Sequence, residues 1–223
     1  MSHTDVDFQA RLLVAAERLK LDLSADAVEK LLVYIQQLQR WNKTYNLTAL
    51  RDPEQMLIQH VFDSMAVVPL FKEVLHTSVP NSARIVDVGA GAGLPGVVLA
   101  ICLPEVQVTC VDAVEKKMAF VRQMTAVLSL PNLKAEHRRI EQGESYQADV
   151  VTSRAFASLV DFVSLARFHV KPNGYMLAMK GKHPSDEIAA LVASELADVE
   201  QVKTVEVPEL DAERCVVYLK PKG

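Results

Sequence analysis

Apolar residues recur at helical spacing from Phe8 through Leu12, Leu13, Ala16 and Leu19, so the chain is predicted to open with a helix. Ser24 is a candidate N-cap for a second helix, whose stripe carries Val28, Leu31, Leu32, Ile35, Leu38 and Trp41. Asp52-Pro53 pairs a capping acid with a proline at the first helical position, which starts a third helix. Its stripe through Met56, His60 and Asp63 mixes polar with apolar groups, unusual for a plain core helix. Residues 76–81 hold Ser, Thr and Pro and read as a linker. Beyond it, strands are predicted over 84–88, 106–111, 132–136, 148–152 and 174–180, with late ones near 202–207 and 215–219. Helices are predicted over 97–103, 116–130, 159–170 and 184–196. This alternation predicts an α/β fold: a mostly parallel, seven-stranded sheet with helices on both faces. The last two strands lack a helix between them, so an antiparallel hairpin should close the sheet. The expected organisation is a helical extension over 1–78 and an α/β domain over 79–223.

Composition adds limits. Half of the 223 residues are hydrophobic, enough for a real core, and global disorder is excluded. No apolar run approaches the length of about 18 residues needed to cross a bilayer, so no membrane partner is expected. The polar, acidic start lacks a signal-peptide pattern. Cys102, Cys110 and Cys215 have no CxxC spacing, which excludes a disulfide framework or zinc knuckle and fits a reducing cytoplasm. The net charge of -4 hides an uneven distribution. Residues 116–183 hold eleven Lys and Arg against five acids, and 184–213 hold one Lys against nine acids. A local basic surface attracts phosphates whatever the total.

The sharpest segment is Asp87-Val88-Gly89-Ala90-Gly91-Ala92-Gly93-Leu94-Pro95-Gly96, between the first strand and the next helix. Glycines there permit positive φ and let a ligand touch backbone, at the carboxyl end of a parallel strand where ligands bind. Gly91-x-Gly93-x-x-Gly96 matches the dinucleotide pattern, itself a weak signal. Asp87, however, brings negative charge toward any pyrophosphate, and Pro95 removes a backbone donor. An acid suits a cationic, hydroxyl-rich ligand, and S-adenosylmethionine has a sulfonium, an ammonium and a ribose diol. Asp112 ends the second strand, where a carboxylate can accept both ribose hydroxyls; a dinucleotide would use it equally, and it could instead cap the following helix.

Ile140, in Arg138-Arg139-Ile140-Glu141, is placed to pack on an adenine, with Glu141 as a polar neighbour. After the fourth strand, Ser153-Arg154-Ala155-Phe156-Ala157 lacks the Asn/Asp-Pro-Pro-aromatic segment of adenine-N6 methyltransferases, and the chain lacks the paired cysteines of cytosine-C5 chemistry. Arg154 could hold a phosphate or the cofactor carboxylate, hydrogen-bond guanine O6, or form a structural ion pair.

Five ordered motifs now carry a resemblance: residues 41–48 (WNKTYNLT), 60–64 (HVFDS), the glycine loop 87–96, 153–159 (SRAFASL), and Lys180-Gly181. The chain resembles the bacterial glucose-inhibited division protein B family, methyltransferases of guanine N7 in 16S ribosomal RNA. The resemblance implies a class I, Rossmann-like methyltransferase domain with an N-terminal helical extension, S-adenosylmethionine as donor, and a hairpin loop of the decoding region as substrate. It implies cofactor contacts at Gly89, Leu94, Ile140, Glu141 and Arg154, beside Asp87, Gly91 and Asp112 from the residues themselves. The family loop often has Thr where this chain has Ala90.

Guanine N7 carries a free lone pair and no proton, so no general base is expected and Arg154 takes a positioning role. Candidate RNA contacts are Lys43, Tyr45, Asn46, His60, Arg138, Lys180 and Lys182. No metal site is implied, and no long exposed apolar stripe demands a partner, so a monomer is expected. Two other readings remain: a nicotinamide-dependent oxidoreductase, and a catalytically silent RNA-binding or assembly factor.

Overall fold

The computed structural model describes residues 3–75, 83–154 and 156–222, the side chains of 3–6 excepted; the expected linker at 76–81 and Ala155 lie outside the described residues. Helix α1 (His3–Arg18) is followed by α2 (Ala25–Tyr45). Ser24 does cap α2: its backbone is extended and its Oγ accepts the Ala27 N–H at 3.1 Å. Asp52 likewise accepts the Gln55 N–H at 3.2 Å and starts α3 (Pro53–Met56).

The single helix expected from Pro53 is not continuous. A π-helical turn over Leu57–Phe62 interrupts it, followed by α4 (Asp63–Ala66) and α5 (Val68–Leu75). Such widened turns displace side chains from the ordinary 3.6-residue stripe and recur at functional sites. Here Met56, His60 and Asp63 are all buried, so the mixed-polarity stripe faces inward.

The α/β part runs β1 (Arg84–Val88), α6 (Gly96–Cys102), β2 (Gln107–Asp112), α7 (Glu115–Val127), β3 (Leu133–His137), β4 (Ala148–Ser153), α8 (Leu159–Ala166), β5 (Val170–Lys180), α9 (Ser185–Ser194), β6 (Ala197–Thr204) and β7 (Cys215–Pro221). The seven strands are ordered β3-β2-β1-β4-β5-β7-β6. The first five are mutually parallel, and β7 pairs antiparallel with both β5 and β6. The late hairpin therefore inserts its second strand beside β5. Two boundaries differ most from the sequence reading: β6 spans Ala197–Thr204 instead of 202–207, and α8 stops at Ala166, where a 3-10 turn spans Arg167–His169 and β5 begins at Val170. Lys171-Pro172-Asn173-Gly174 reads locally as a turn. The pairing register with β4 shifts between Ala148 and Val150, and Asn173 takes a φ of +66°, so a bulge absorbs the turn within the strand.

Side chains alternate across the sheet. Ile85, Val108, Cys110, Val150 and Leu177 join one apolar layer with residues of α1, α2, α6 and α7. Val86, Val88, Val111, Val151 and Met176 join the other with residues of α8 and α9. The N-terminal helices thus share a continuous core with the sheet. Trp41 packs edge-on against Phe120 of α7 with centroids 5.5 Å apart. Part of the late acidic segment is committed to α1, through Arg11–Glu209 at 2.6 Å and Arg18–Glu206.

Candidate active site

The tips of β1, β2, β4 and β5 converge on the crevice where an open parallel sheet binds ligands. Three adjoining cavities occupy it. A first, of about 200 Å³, lies between Gly89, Asp112, Arg138, Ile140, Glu141 and Phe156. A second, of about 180 Å³, is walled by Gly89, Gly91, Leu94, Lys117, His60 and Arg154. A third, of about 400 Å³, is walled by Thr48, His60, Asp63, Arg154, Lys180 and Arg214 among others. Gly89 borders the first and second; Thr48, His60 and Arg154 border the second and third. A wider concavity of about 980 Å³ around Phe168 and Lys220 lies at the opposite end of the strands, away from these tips.

Gly89 and Gly91 have φ of +67° and +60°, left-handed values that side chains rarely adopt. The loop therefore presents bare backbone to the second cavity. It is fixed from both sides. Tyr34 of α2 donates its hydroxyl to Ala92 O at 2.8 Å, and Asp112 Oδ2 accepts the Gly91 N–H at 2.9 Å. Asp112 Oδ1 accepts the Val114 N–H at 2.8 Å, and Lys117 stands 3.8 Å from Oδ2. Each carboxylate oxygen thus retains acceptor capacity. Val114, not Asp112, is the residue at the cap position of α7.

Asp87 is placed differently from the sequence expectation. It is fully buried, lines none of the three cavities, and accepts the Gly96 N–H through Oδ2 at 2.8 Å. Its Oδ1 has no hydrogen-bond partner among the described residues. Burial pushes the carboxyl up to about 7, with Gly96 N–H and the charge of Arg154 pulling it down. Gly96 is required beside it: a Cβ there would stand 2.4 Å from Cys110 Sγ and 2.9 Å from Asp87 Oδ2.

The remaining candidates separate into groups. Ile140 is buried and Glu141 exposed, both on the first cavity. Arg138 also lies there, its guanidinium 4.4 Å from the Tyr146 ring centroid and its Nε donating to the Tyr146 hydroxyl. It thus lies on a different cavity from Lys180, whose ammonium donates to Phe156 O at 3.1 Å and to Glu187 at 2.7 Å on the third cavity. Leu94 is buried against the second cavity. Lys43, Tyr45, Asn46 and Lys182 are exposed and line none of the three. Asn46 adopts the left-handed conformation that ends α2, and Arg51 donates to its side chain.

His60 joins the second and third cavities. Its Nδ1–H donates to Gln59 O at 3.1 Å, and its Nε2 accepts from Thr48 Oγ1 at 2.8 Å. Burial, aided by the positive charge of Arg154, lowers its pKa to about 4, so the ring is neutral at physiological pH. Thr48 is in turn held by Asn42, whose buried side chain accepts the Thr48 N–H at 2.9 Å and donates to Leu50 O at 2.8 Å.

Sequence reasoning missed the centre of the third cavity. Asp63, 3% exposed, accepts from Arg154 Nη1 at 3.2 Å through Oδ2 and from Arg214 Nε at 2.8 Å through Oδ1. Arg154 also donates to Gln59 O at 3.2 Å. The mixed stripe of residues 56–63 was the available signal for Asp63; nothing local marks Arg214.

The family model for rRNA small subunit methyltransferase G (GidB) matches residues 27–217. The protein named ribosomal RNA small subunit methyltransferase G from Bordetella avium is 55% identical over 97% of this chain and 95% of its own length. That of Polaromonas naphthalenivorans is 47% identical over 99% of each. Among solved structures, a SAM dependent methyltransferase from Aquifex aeolicus shares the fold, with a TM-score of 0.55, 18% identity, and coverage of 78% of this chain and 96% of that one. The chain therefore belongs to the GidB family and is a ribosomal RNA methyltransferase built on the class I, S-adenosylmethionine-dependent fold.

Proposed function

We propose that this chain transfers a methyl group from S-adenosylmethionine to N7 of a guanine in a hairpin loop of the decoding region of 16S ribosomal RNA, in the cytoplasm, by positioning and without a general base. The carrying observation is the chain of adjoining cavities, linked by shared wall residues, from Asp112, past Gly89 and Gly91, to Arg154 and Asp63.

The residues fit the donor. Asp112 offers acceptor lone pairs to a ribose diol, Ile140 an apolar face to the adenine, and Glu141 a polar edge beside it. The bare backbone at Gly89 and Gly91, with buried Leu94, accommodates the methionine end near Arg154. Asp87 acts from beneath, as the acceptor that holds Gly96 and the loop. When bound, the donor supplies a methyl on a positively charged sulfur, which leaves with the C–S electron pair as the N–C bond forms.

The third cavity takes the target base. N7 has no proton to surrender, so nothing in its wall needs to act as a base. His60 is neutral with both ring nitrogens committed, which suits a wall residue. Arg154 stands between donor and base as the positioning group. The exposed Lys43, Asn46 and Lys182, outside the cavities, serve the RNA phosphates and flanking nucleotides, with Lys180 on the third cavity and Arg138 on the first as the remaining candidates.

The test is direct. Small ribosomal subunits from cells lacking this gene are incubated with the purified protein and methyl-labelled donor, and the RNA is digested and mapped by mass. The label appears as 7-methylguanosine in one decoding-region loop. Label at another atom or base overturns the assignment, and no label at all favours a silent assembly factor.

A further inference from the structure

Asp63 joins three separate parts of the chain. It follows the π turn, Arg154 follows β4, and Arg214 immediately precedes β7. One nearly buried carboxylate thus orients two guanidinium groups that are each about a quarter exposed. Each guanidinium has five N–H donors. Arg154 commits Nη1 to Asp63 and Gln59 O; Arg214 commits Nε to Asp63 and Nη1 to Glu213 O at 2.8 Å. The Nη2 groups of both make no hydrogen bond among the described residues, and both side chains line the third cavity. That wall therefore seeks a hydrogen-bond acceptor.

We propose that Arg214, oriented by Asp63, reads the exocyclic oxygen at position 6 of the target guanine and so selects guanine over adenine. The inference rests on the N7 reading above. N7 must present a free lone pair to the methyl, so the enzyme cannot recognise it by a hydrogen bond. The neighbouring group on the same edge is an acceptor in guanine and an amine donor in adenine. A guanidinium, which only donates, satisfies the first and leaves the second facing N–H groups. Arg214 suits this role better than Arg154 does: Arg154 borders both the second and third cavities, whereas Arg214 borders only the third and reaches the base without touching the donor. Lys180, also on that wall, is already held by Phe156 O and Glu187. Asp63 is then a positioning residue, acting through Arg214.

The experiment uses small subunits reconstituted with 16S RNA carrying guanine, inosine or 2-aminopurine at the mapped position. Inosine keeps the oxygen and loses the 2-amino group; 2-aminopurine keeps the amino group and loses the oxygen. All three keep N7. The wild-type protein treats inosine within about threefold of guanine, because the contact it needs is present. Arg214→Met lowers kcat/KM on guanine by about 10- to 100-fold, the range for a hydrogen bond to a charged donor, and leaves 2-aminopurine nearly unchanged. Comparing the two proteins on each base cancels the different intrinsic reactivities of N7. Arg214→Lys keeps charge without the planar fork and recovers part of the difference. Asp63→Asn narrows the same guanine-to-2-aminopurine ratio, which a merely structural role would leave unmoved. Affinity for S-adenosylhomocysteine, measured by calorimetry, stays at the wild-type value in the Arg214 variants and reports an intact fold.

An equal loss on guanine and 2-aminopurine overturns the proposal, as does a loss of donor affinity that accounts for the whole fall in rate. Wild-type label at an atom other than N7 overturns the functional reading as well, which distinguishes the two failures.

Discussion

An Asp112→Ala protein binds S-adenosylhomocysteine about 100-fold or more weakly than wild type, as read by titration calorimetry. The reason is the number of acceptors lost at one place. Each hydroxyl of a ribose diol bonded to a carboxylate is worth about 1.5–3 kcal/mol, so two together exceed a hundredfold in affinity. The same side chain also holds Gly91 N–H and Val114 N–H, so the loop and the turn after β2 loosen with it. Asp112→Asn separates these effects: it keeps one acceptor for a backbone N–H while removing the charge. Its affinity falls between the two. An Asp112→Ala protein that retained wild-type affinity would remove the ribose from this end of the crevice.

Asp87 has the second large effect, on stability rather than binding. Burial raises its carboxyl from an ordinary 3.8 to about 7. Between those values the folded protein holds a proton that the unfolded chain has released, so stability declines as pH rises through that window. Below about pH 4 the contribution is fully present, and above pH 7 it is lost. Asp87→Asn keeps an oxygen for Gly96 N–H and cannot ionise. Urea unfolding from pH 4 to 8 therefore shows wild type losing stability relative to the variant with a slope approaching about 1.4 kcal/mol per pH unit, levelling off near neutrality. Parallel curves would mean that this carboxyl ionises as freely in the folded protein as in the unfolded chain.

Local signals foretold most of the fold because local chemistry decides it. Ser24 and Asp52-Pro53 mark helix starts through bonds to residues three positions on, and both caps are formed. The strand–glycine–helix junction and the acid ending β2 were equally readable, since their roles follow from backbone geometry at a strand tip. The glycine pattern alone left a dinucleotide open, and family membership decides for a methyltransferase.

What was hidden depends on distant partners. The start of β5 reads as a turn because Pro172, Asn173 and Gly174 have turn preferences, and only the pairing of Val170 and Tyr175 with β4 on either side of them carries the strand through. The direction of the Asp87 side chain is set by Gly96 and Cys110 packed against it, so an acid expected to face the ligand lies beneath the loop. Asp63 and Arg214 meet across 151 positions of sequence, where no spacing rule reaches. Arg138 sits in a basic cluster suggestive of RNA, but its place on the first cavity is set by Tyr146 and Glu136, which no local pattern links to it.

A crystal grown with S-adenosylhomocysteine tests the central arrangement most directly. The account predicts the adenine against Ile140, both ribose hydroxyls on Asp112, the amino-acid end along Gly89 and Gly91, and the sulfur turned toward the cavity between Arg154 and Asp63. A ligand bound with its sulfur facing away from that cavity, or seated elsewhere on the chain, would contradict it.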